Sequence, residues 1–378
     1  MALKVIDLFS GCGGLSIGFE AAGFTVLGGN DHDEDSMDAY GLNHPKAKVW
    51  RGKIEDLDPI RVLNDVNLRP GELDVLIGGP PCQGFSRNRA RRHVRGEFVD
   101  DPRNYLFKHF LRFVAAMRPR AVLIENVADM IVKQGGAFEQ EIAERLDDMG
   151  YHYTSAKVLN AADFGVPQRR RRAFILAGRD RRLTLPEATH ASSPDENSMF
   201  PLAPWVTIWD AISDLPRLGE GEGARDSPYG SSPTTNYQQL MRTTCETVSE
   251  HIAWNMSSTQ RERLSYLGEG DGVEKLPPHL APKSGYGSAY RRMARDIPAL
   301  TITTWMYHPG SGMFWHPVDP RIITVREGAR LQSFPDWSQF VGGKISRCRQ
   351  VGNAVPPLLA QQIAGKLAEQ LNSSMSDI

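Results

Sequence analysis

The stretch Gly78-Gly79-Pro80-Pro81-Cys82-Gln83-Gly84-Phe85-Ser86 decides the reading of this chain. It follows Leu73-Asp74-Val75-Leu76-Ile77, an apolar run with the length and composition of a short buried strand. Two glycines and two prolines then keep that strand from continuing or turning into a helix. Cys82 is therefore presented at a strand tip on stiff backbone. A free cysteine has a reference pKa of about 8.5, so it becomes an effective nucleophile only where nearby charge or dipoles favour the thiolate. A lone cysteine in such a place is as often a buried structural thiol. Cys82 is not alone: Glu125-Asn126-Val127 ends the apolar run 121–124, and Gln168-Arg169-Arg170-Arg171-Arg172 precedes the run 173–177.

The 378 residues suffice for one large domain or two ordinary ones, and 40% hydrophobic with 24% charged residues is usual for a soluble globular protein. No run approaches eighteen apolar residues, and Met1-Ala2-Leu3-Lys4-Val5-Ile6 passes into a strand without a signal-peptide pattern, so the expectation is a cytoplasmic protein with no membrane partner. Cysteines at 12, 82, 245 and 348 have no metal-ligand spacing and are too few for a disulfide framework, so no metal is expected. A net charge of −1 gives no global sign of nucleic-acid binding. Local patches carry that reading instead: Arg87, Arg89, Arg91, Arg92 and Arg95 directly after the cysteine loop, and Arg169 to Arg172. Charge runs are more often solvated faces, but adjacency to Cys82 reverses those odds for the first patch.

Residues 4–9 read as a strand, Ser10-Gly11-Cys12-Gly13-Gly14 as a tight turn, and Leu15, Phe19 and Ala22 as one face of a helix stopped by Gly23. Such a unit suits a nucleotide-like cofactor, because glycines let backbone approach the ligand and the helix start offers free N–H groups. The spacing is not the dinucleotide fingerprint. The strand 25–29 ends in Asn30-Asp31, where a carboxylate either accepts from ribose hydroxyls or caps the next helix, a role equally natural for Asp33. Strand and helix alternate over the first 180 or so residues, which predicts an α/β sheet with ligands at strand ends. From about residue 184 the composition shifts to Pro, Ser, Thr and Gly without a sustained period, predicting a smaller, loop-rich domain. Thr324 and Glu327 form a capping box, and Leu359, Ile363, Leu367 and Leu371 share one helix face.

With Asp7-Leu8-Phe9-Ser10-Gly11-Cys12-Gly13-Gly14 at one end and Gly352-Asn353-Ala354-Val355-Pro356-Pro357 at the other, these segments in this order resemble the cytosine-C5 DNA methyltransferase family over nearly the whole chain. The resemblance implies a Rossmann-like S-adenosylmethionine-dependent methyltransferase sheet with a second, smaller, loop-rich target-recognition domain. Its boundaries are expected at 1–184 for the catalytic and cofactor-binding part, 185–344 for recognition and its supporting segment, and 345–378 for the return to the catalytic domain. It implies a catalytic set of Cys82, Glu125, Arg170 and Arg172, with Glu125 carrying a raised pKa and Arg170 supporting the loop or its ligands. S-adenosyl-L-methionine would be held by Phe9, Gly11, Cys12, Gly13, Gly14, Asp31, His32, Ile54, Gly79, Pro81, Leu106, Asn353, Ala354 and Val355. Double-stranded DNA would be met by Ser86, Arg87, Asn88, Arg89 and Thr301, with Arg242, Arg261, Arg263, Tyr286, Arg291 and Arg292 as unranked base readers.

One position departs from the family. Where it has Gly-Asp-Ile, with the Asp accepting from the adenine amino group, this chain has Gly52-Lys53-Ile54, and an ammonium has only donors. Either backbone, Glu55 or Asp56 takes over, or cofactor binding is altered. The expected protein is a monomer, and either the modifying half of a restriction system, whose endonuclease acts on the same site without direct contact, or a solitary relative. The alternatives are a tRNA cytosine-C5 methyltransferase and a DNA-binding relative with weak catalysis; a nicotinamide-dependent oxidoreductase fails for lack of the fingerprint.

Overall fold

A computed structural model describes residues 2–81, 105–132, 136–194, 198–199, 201–243, 245–282 and 287–373. Two compact units divide the chain: Met1–Asn160, Arg171–Glu187 and Leu359–Ile378 form the first, Ala161–Arg170 and Ala188–Leu358 the second.

The first eight strands are β1 Lys4–Leu8, β2 Thr25–Asp31, β3 Lys48–Arg51, β4 Val75–Gly78, β5 Ala121–Val127, β6 Tyr153–Asn160, β7 Gln168–Arg169 and β8 Arg171–Gly178. All but β7 form one sheet in the order β3-β2-β1-β4-β5-β8-β6, parallel from β3 to β5, with β8 antiparallel to both β5 and β6. Val75, Leu76 and Ile77 are fully buried, as a central strand covered on both faces requires. The chain order reverses between β1 and β4, and at such a switch point the loops leaving the carboxyl ends diverge and open a crevice. Here those loops are the Phe9–Gly14 turn and the Gly79 segment that leads to Cys82. Topology alone thus brings the first unit's two sequence-marked loops to one place.

Helices α1 Gly14–Ala21, α2 Glu34–Asn43, α3 Pro59–Asp65 and α4 Tyr105–Met117 accompany these strands. α4 buries Phe107, Phe110, Leu111, Phe113, Val114 and Met117 in the core. Leu106 is half-buried and packs against this core, as does Phe9.

The second unit is loop-rich, as its composition predicts, with short helices, an antiparallel ribbon of Gly223–Pro228 with Thr247–Ile252, and β7 paired in parallel with Ala299–Leu300. Its apolar interior also holds a buried ionic network. Arg321, Arg326 and Arg330 are fully buried: Arg321 grips Glu327 through Nη1 (2.8 Å) and Nη2 (2.7 Å), Arg330 Nε meets Asp336 at 2.5 Å, and Arg326 donates to Ser249 and Ser338. The capping box is complete, with Thr324 N on Glu327 Oε2 at 2.8 Å and Glu327 N on Thr324 Oγ1 at 3.1 Å. Burial alone would raise the Glu327 pKa, but Arg321 overrides it and holds the carboxyl well below its usual range. Buried ion pairs lose much of their attraction to desolvation, so this network fixes one geometry more than it adds stability.

Among the described residues no helix is long and apolar enough to cross a membrane, and no cluster of His, Cys, Asp and Glu could hold a metal ion.

Candidate active site

β1 delivers the chain into a turn that few residues tolerate. Phe9 is left-handed at φ 59°, a conformation that strains a bulky side chain by an energy on the order of 1 kcal/mol and is typical of ligand sites. Gly13 has φ 96°, and a Cβ there would lie 2.2 Å from Nε2 of His44, so only glycine lets the turn pack down. Asp31, at the tip of β2, reaches across with Oδ2 accepting from Gly11 N and Oδ1 from Asp33 N, both at 3.0 Å. The cap of α2 is Asp33, whose Oδ1 accepts from Ser36 N at 2.9 Å. Of the two carboxylates that could have capped this helix, Asp31 is thereby left facing the turn.

The residues fit a cofactor built from adenosine and an amino acid. α1 starts at an uncapped Gly13 with no acidic residue in its first turn, whereas α2 has a side-chain cap plus Glu34 and Asp35. An uncapped helix start offers N–H groups and positive dipole to a carboxylate. The Asp31 carboxylate has the acceptor chemistry that ribose hydroxyls would need, and Phe9 and Leu106 are half-buried apolar side chains. Burial pushes the Cys12 thiol up to about 12. His32 is 76% exposed and contacts Asp31 Oδ1 at 3.1 Å. Lys53 is exposed beside the buried Ile54, whose carbonyl accepts from Arg112 Nη2 at 2.7 Å.

Beneath the turn lies a group that received no role from the sequence. Asp7, in the middle of β1, is fully buried, with Oδ2 accepting from Ser16 Oγ at 2.8 Å and Oδ1 lacking a partner among the described residues. Ser16 Oγ also meets Tyr40 OH at 3.1 Å. Burial pushes the Asp7 pKa up to about 7, with the Asp31 charge adding to the rise. The available signal was an acid between Ile6 and Leu8 in an otherwise apolar strand.

β4 leads through Gly79 to an exposed Pro81. Cys82, Ser86, Arg87, Asn88 and Arg89 follow and lie outside the described residues. Their approach is pinned from β5, where Asn126 Nδ2 donates to Pro80 O at 2.8 Å. Register sets Glu125 opposite Phe174 and Val127 opposite Arg172, so Glu125 and Arg172 are diagonal neighbours on one face. Arg172 Nε lies 3.1 Å from Glu125 Oε1, both side chains mostly buried. A Cβ on Gly79 would sit 3.0 Å from Glu125 Oε2, so glycine makes room for the carboxylate. Burial lowers the Arg172 pKa from the usual arginine value, and Glu125 opposes that shift. The thiols of Cys12, Cys245 and Cys348 are all raised by burial, so none of them supplies a thiolate near neutral pH.

Arg170 belongs to the second unit and points inward, with Nη1 donating to Ile302 O and Nη2 to Gly352 O, both at 3.0 Å. Its geometry is that of a brace. Gln168, assigned no role of its own above, accepts from Ile302 N at 2.8 Å and donates to Leu331 O at 3.1 Å. Thr301 Oγ1 donates to Arg169 O at 3.1 Å. Asn353 ends the helix Lys344–Asn353 exposed, Ala354 is half-buried, and Val355 is buried.

Most of the expected base readers are spent on the fold. Arg292 donates to the carbonyls of Leu267, His316 and Val318, and Arg242 Nε donates to Asp214 at 2.7 Å while its guanidinium lies over the Tyr229 ring. Neither has a donor fork free for a base edge, which corrects the expectation that they read bases. Arg261 is paired with Glu220, Arg263 with Leu280 O and Arg291 with Gly270 O and Glu274. Tyr286 lies outside the described residues.

The family model for the C-5 cytosine-specific DNA methylase matches residues 3–369. The chain is 34% identical to the type II methyltransferase M.AgeI of Thalassovita gelatinovora, over 96% of this chain and 98% of that one. It is 38% identical to the type II methyltransferase M1.HphI of Haemophilus parahaemolyticus, over 96% and 86%. Among solved structures, an E. coli prophage-encoded chain assigned as a DNA modification methyltransferase superposes with a TM-score of 0.75 at 26% identity, covering 98% of this chain and all of that one. A family match across nearly the whole chain, on a sheet whose switch point carries the Phe9–Gly14 turn and the end of the strand Val75–Gly78, makes this protein a member of the C-5 cytosine-specific DNA methylase family, an S-adenosylmethionine-dependent enzyme that methylates DNA.

Proposed function

We propose that Cys82, Glu125 and Arg172 carry the methylation of cytosine C5 in duplex DNA. The supporting observation is the Glu125–Arg172 pair held 3.1 Å apart beside Gly79, three residues before the cysteine. C5 is a poor nucleophile until electrons enter the ring. The Cys82 thiolate forms a bond to C6, and the displaced electron pair moves through the ring to N3. Glu125 holds the N3 and amino edge and supplies the proton there, while Arg172 moves onto O2, where negative charge develops. When bound, the cofactor would supply an electrophilic sulfonium methyl group to the now enamine-like C5, its S–CH3 bond breaking to leave a neutral thioether. A base removes the C5 proton, the C6–S bond breaks with Cys82 leaving as thiolate, and the N3 proton returns to Glu125. Base flipping exposes C6 and C5, at a cost of a few kcal/mol that phosphate contacts offset; Ser86, Arg87 and Arg89 grip phosphates and Asn88 fills the emptied stack.

Asp31 and the start of α1 hold the cofactor, Arg170 braces the segments that carry Thr301 and Asn353, and the protein acts as a cytoplasmic monomer. Its partner is DNA, with a restriction endonuclease reading the same site where the gene lies in such a system. Nucleoside mass spectrometry of unmethylated plasmid and of unmodified tRNA after incubation with S-adenosylmethionine tests this reading. It predicts 5-methyldeoxycytidine in the plasmid only, and methyl groups in tRNA alone would overturn it.

A further inference from the structure

The second unit exposes an aromatic ladder that nothing in the reaction described above uses. Trp305 is 59% exposed. Its ring lies 5.6 Å from Tyr307 at an interplanar angle of 31°, and Tyr307 lies 5.8 Å from Trp254 at 39°. Lys344 Nζ closes the row, 5.3 Å from the Trp254 ring centroid.

The ladder is built on fixed backbone. Trp254 Nε1 donates to Ile323 O at 2.9 Å, and Met306, between the other two rings, is fully buried. Ser311 Oγ lies 2.7 Å from the carbonyl oxygens of both Trp305 and His308, with its one proton available to either, and His308 N donates to Trp305 O at 2.8 Å. A single exposed aromatic needs no explanation. Three rings in sequence, rigidly backed, with the outermost left open, form a surface complementary to another flat π face.

The charge at the end of the row decides the partner. Lys344 opens the helix Lys344–Asn353, whose first turn has no capping side chain and no acidic residue. Base faces on aromatic rings and phosphate on a cation beside an uncapped helix start are the two demands of a nucleic-acid strand. A protein partner would need the rings but not the anion-seeking end. The reaction also creates the ligand, because withdrawing a base from the duplex opens the faces of its neighbours.

We propose that Trp305, backed by Tyr307 and Trp254, is a stacking platform for a nucleobase of the substrate DNA whose face has been opened, with the phosphate of that strand at Lys344. This deepens the DNA-methylation reading and rests on it. Trp305 acts on DNA binding and site discrimination, not on the reacting atoms.

The test uses the full chain and duplexes containing the methylated site, with 2-aminopurine placed at each purine in turn. Trp305→Ala is expected to weaken duplex binding about 5- to 100-fold, to raise KM for DNA while leaving kcat and cofactor affinity unchanged, and to abolish the 2-aminopurine quenching seen with the parent. Trp305→Phe should restore most of both. Lys344→Gln should lower the salt slope of binding by about one. Duplex affinity within twofold of the parent for Trp305→Ala overturns the inference, as does a sedimentation shift of the free protein that assigns the face to a second copy. If Trp305→Ala does not fold, the absence of 2-aminopurine quenching at every position with the parent overturns it equally. A parent that methylates DNA while Trp305→Ala binds normally sinks this inference alone, whereas a parent that neither binds nor methylates DNA sinks the functional reading with it.

Discussion

Replacing Asp7 by Asn should make the protein progressively more stable than the parent as pH rises from about 4 to about 7, with the gain level above that. Asp7 is fully buried, one oxygen on Ser16 and the other without a partner among the described residues, and burial raises its pKa from 3.8 to about 7. The folded state therefore keeps a proton that the unfolded chain gives up. Stability falls as pH rises from about 4 through about 7, and is level above that. At about 1.4 kcal/mol per pH unit, ionising Asp7 inside the fold costs about 4 kcal/mol at pH 8, an upper bound. About 2–3 kcal/mol of this develops between pH 5 and 8. Asn keeps the acceptor for Ser16 and carries no charge. At about 2–4 °C per kcal/mol for a unit of this size, the difference in Tm between Asp7→Asn and the parent should widen by about 5–10 °C across that interval. Thermal unfolding followed by circular dichroism at pH 5, 6, 7 and 8 measures it. A difference that does not change with pH would refute the assignment of Asp7 as a buried acid held near neutrality.

The second unit should respond in the opposite sense, because burial pushes the His316 pKa down to about 4. Its neutral form is the folded form, so the unit loses stability as pH falls from about 6.5 toward 4, by about 2 kcal/mol at pH 5; hydrogen exchange at amides of residues 316–327, compared at pH 5 and 7 after correction for intrinsic rates, should show the weakening. Gly79→Ala places a methyl group 3.0 Å from Glu125 Oε2 and should lower kcat by up to about 100-fold through misplacement of the carboxylate, measured by single turnover beside cofactor affinity in calorimetry. Lys53→Asp should tighten S-adenosylmethionine binding in the same assay if position 53 faces the adenine, and leave it unchanged if Glu55, Asp56 or backbone has taken over that contact.

What the sequence made legible was local. The strand, glycine turn and helix of residues 4–21, the capping box of Thr324 and Glu327, and the strand ending at Gly78 each follow from a few adjacent residues, and each forms. The choice between Asp31 and Asp33 as cap was not legible, because both spacings are plausible and only the β2 geometry separates them. Arginines were the least readable. Arg242 and Arg292 look like DNA contacts in a Pro- and Ser-rich segment, but their partners, Asp214 and the carbonyls of Leu267 and Val318, lie 25 to 28 residues away. The platform of Trp254 and Trp305 was hidden for the same reason, since nothing in either local sequence predicts that Tyr307 lies between them.

The central claim is that Cys82 attacks C6 of a cytosine in DNA, and a covalent trap tests it most directly. In duplex DNA made with 5-fluorocytosine, methyl transfer leaves fluorine where the proton would be; fluorine cannot depart as a cation, so the C6–S bond cannot break. Incubation with S-adenosylmethionine followed by denaturing electrophoresis should show a DNA-linked band that peptide mass spectrometry maps to Cys82, and Cys82→Ala should show none. An adduct on another residue, or undiminished methylation of ordinary DNA by Cys82→Ala, would contradict the account.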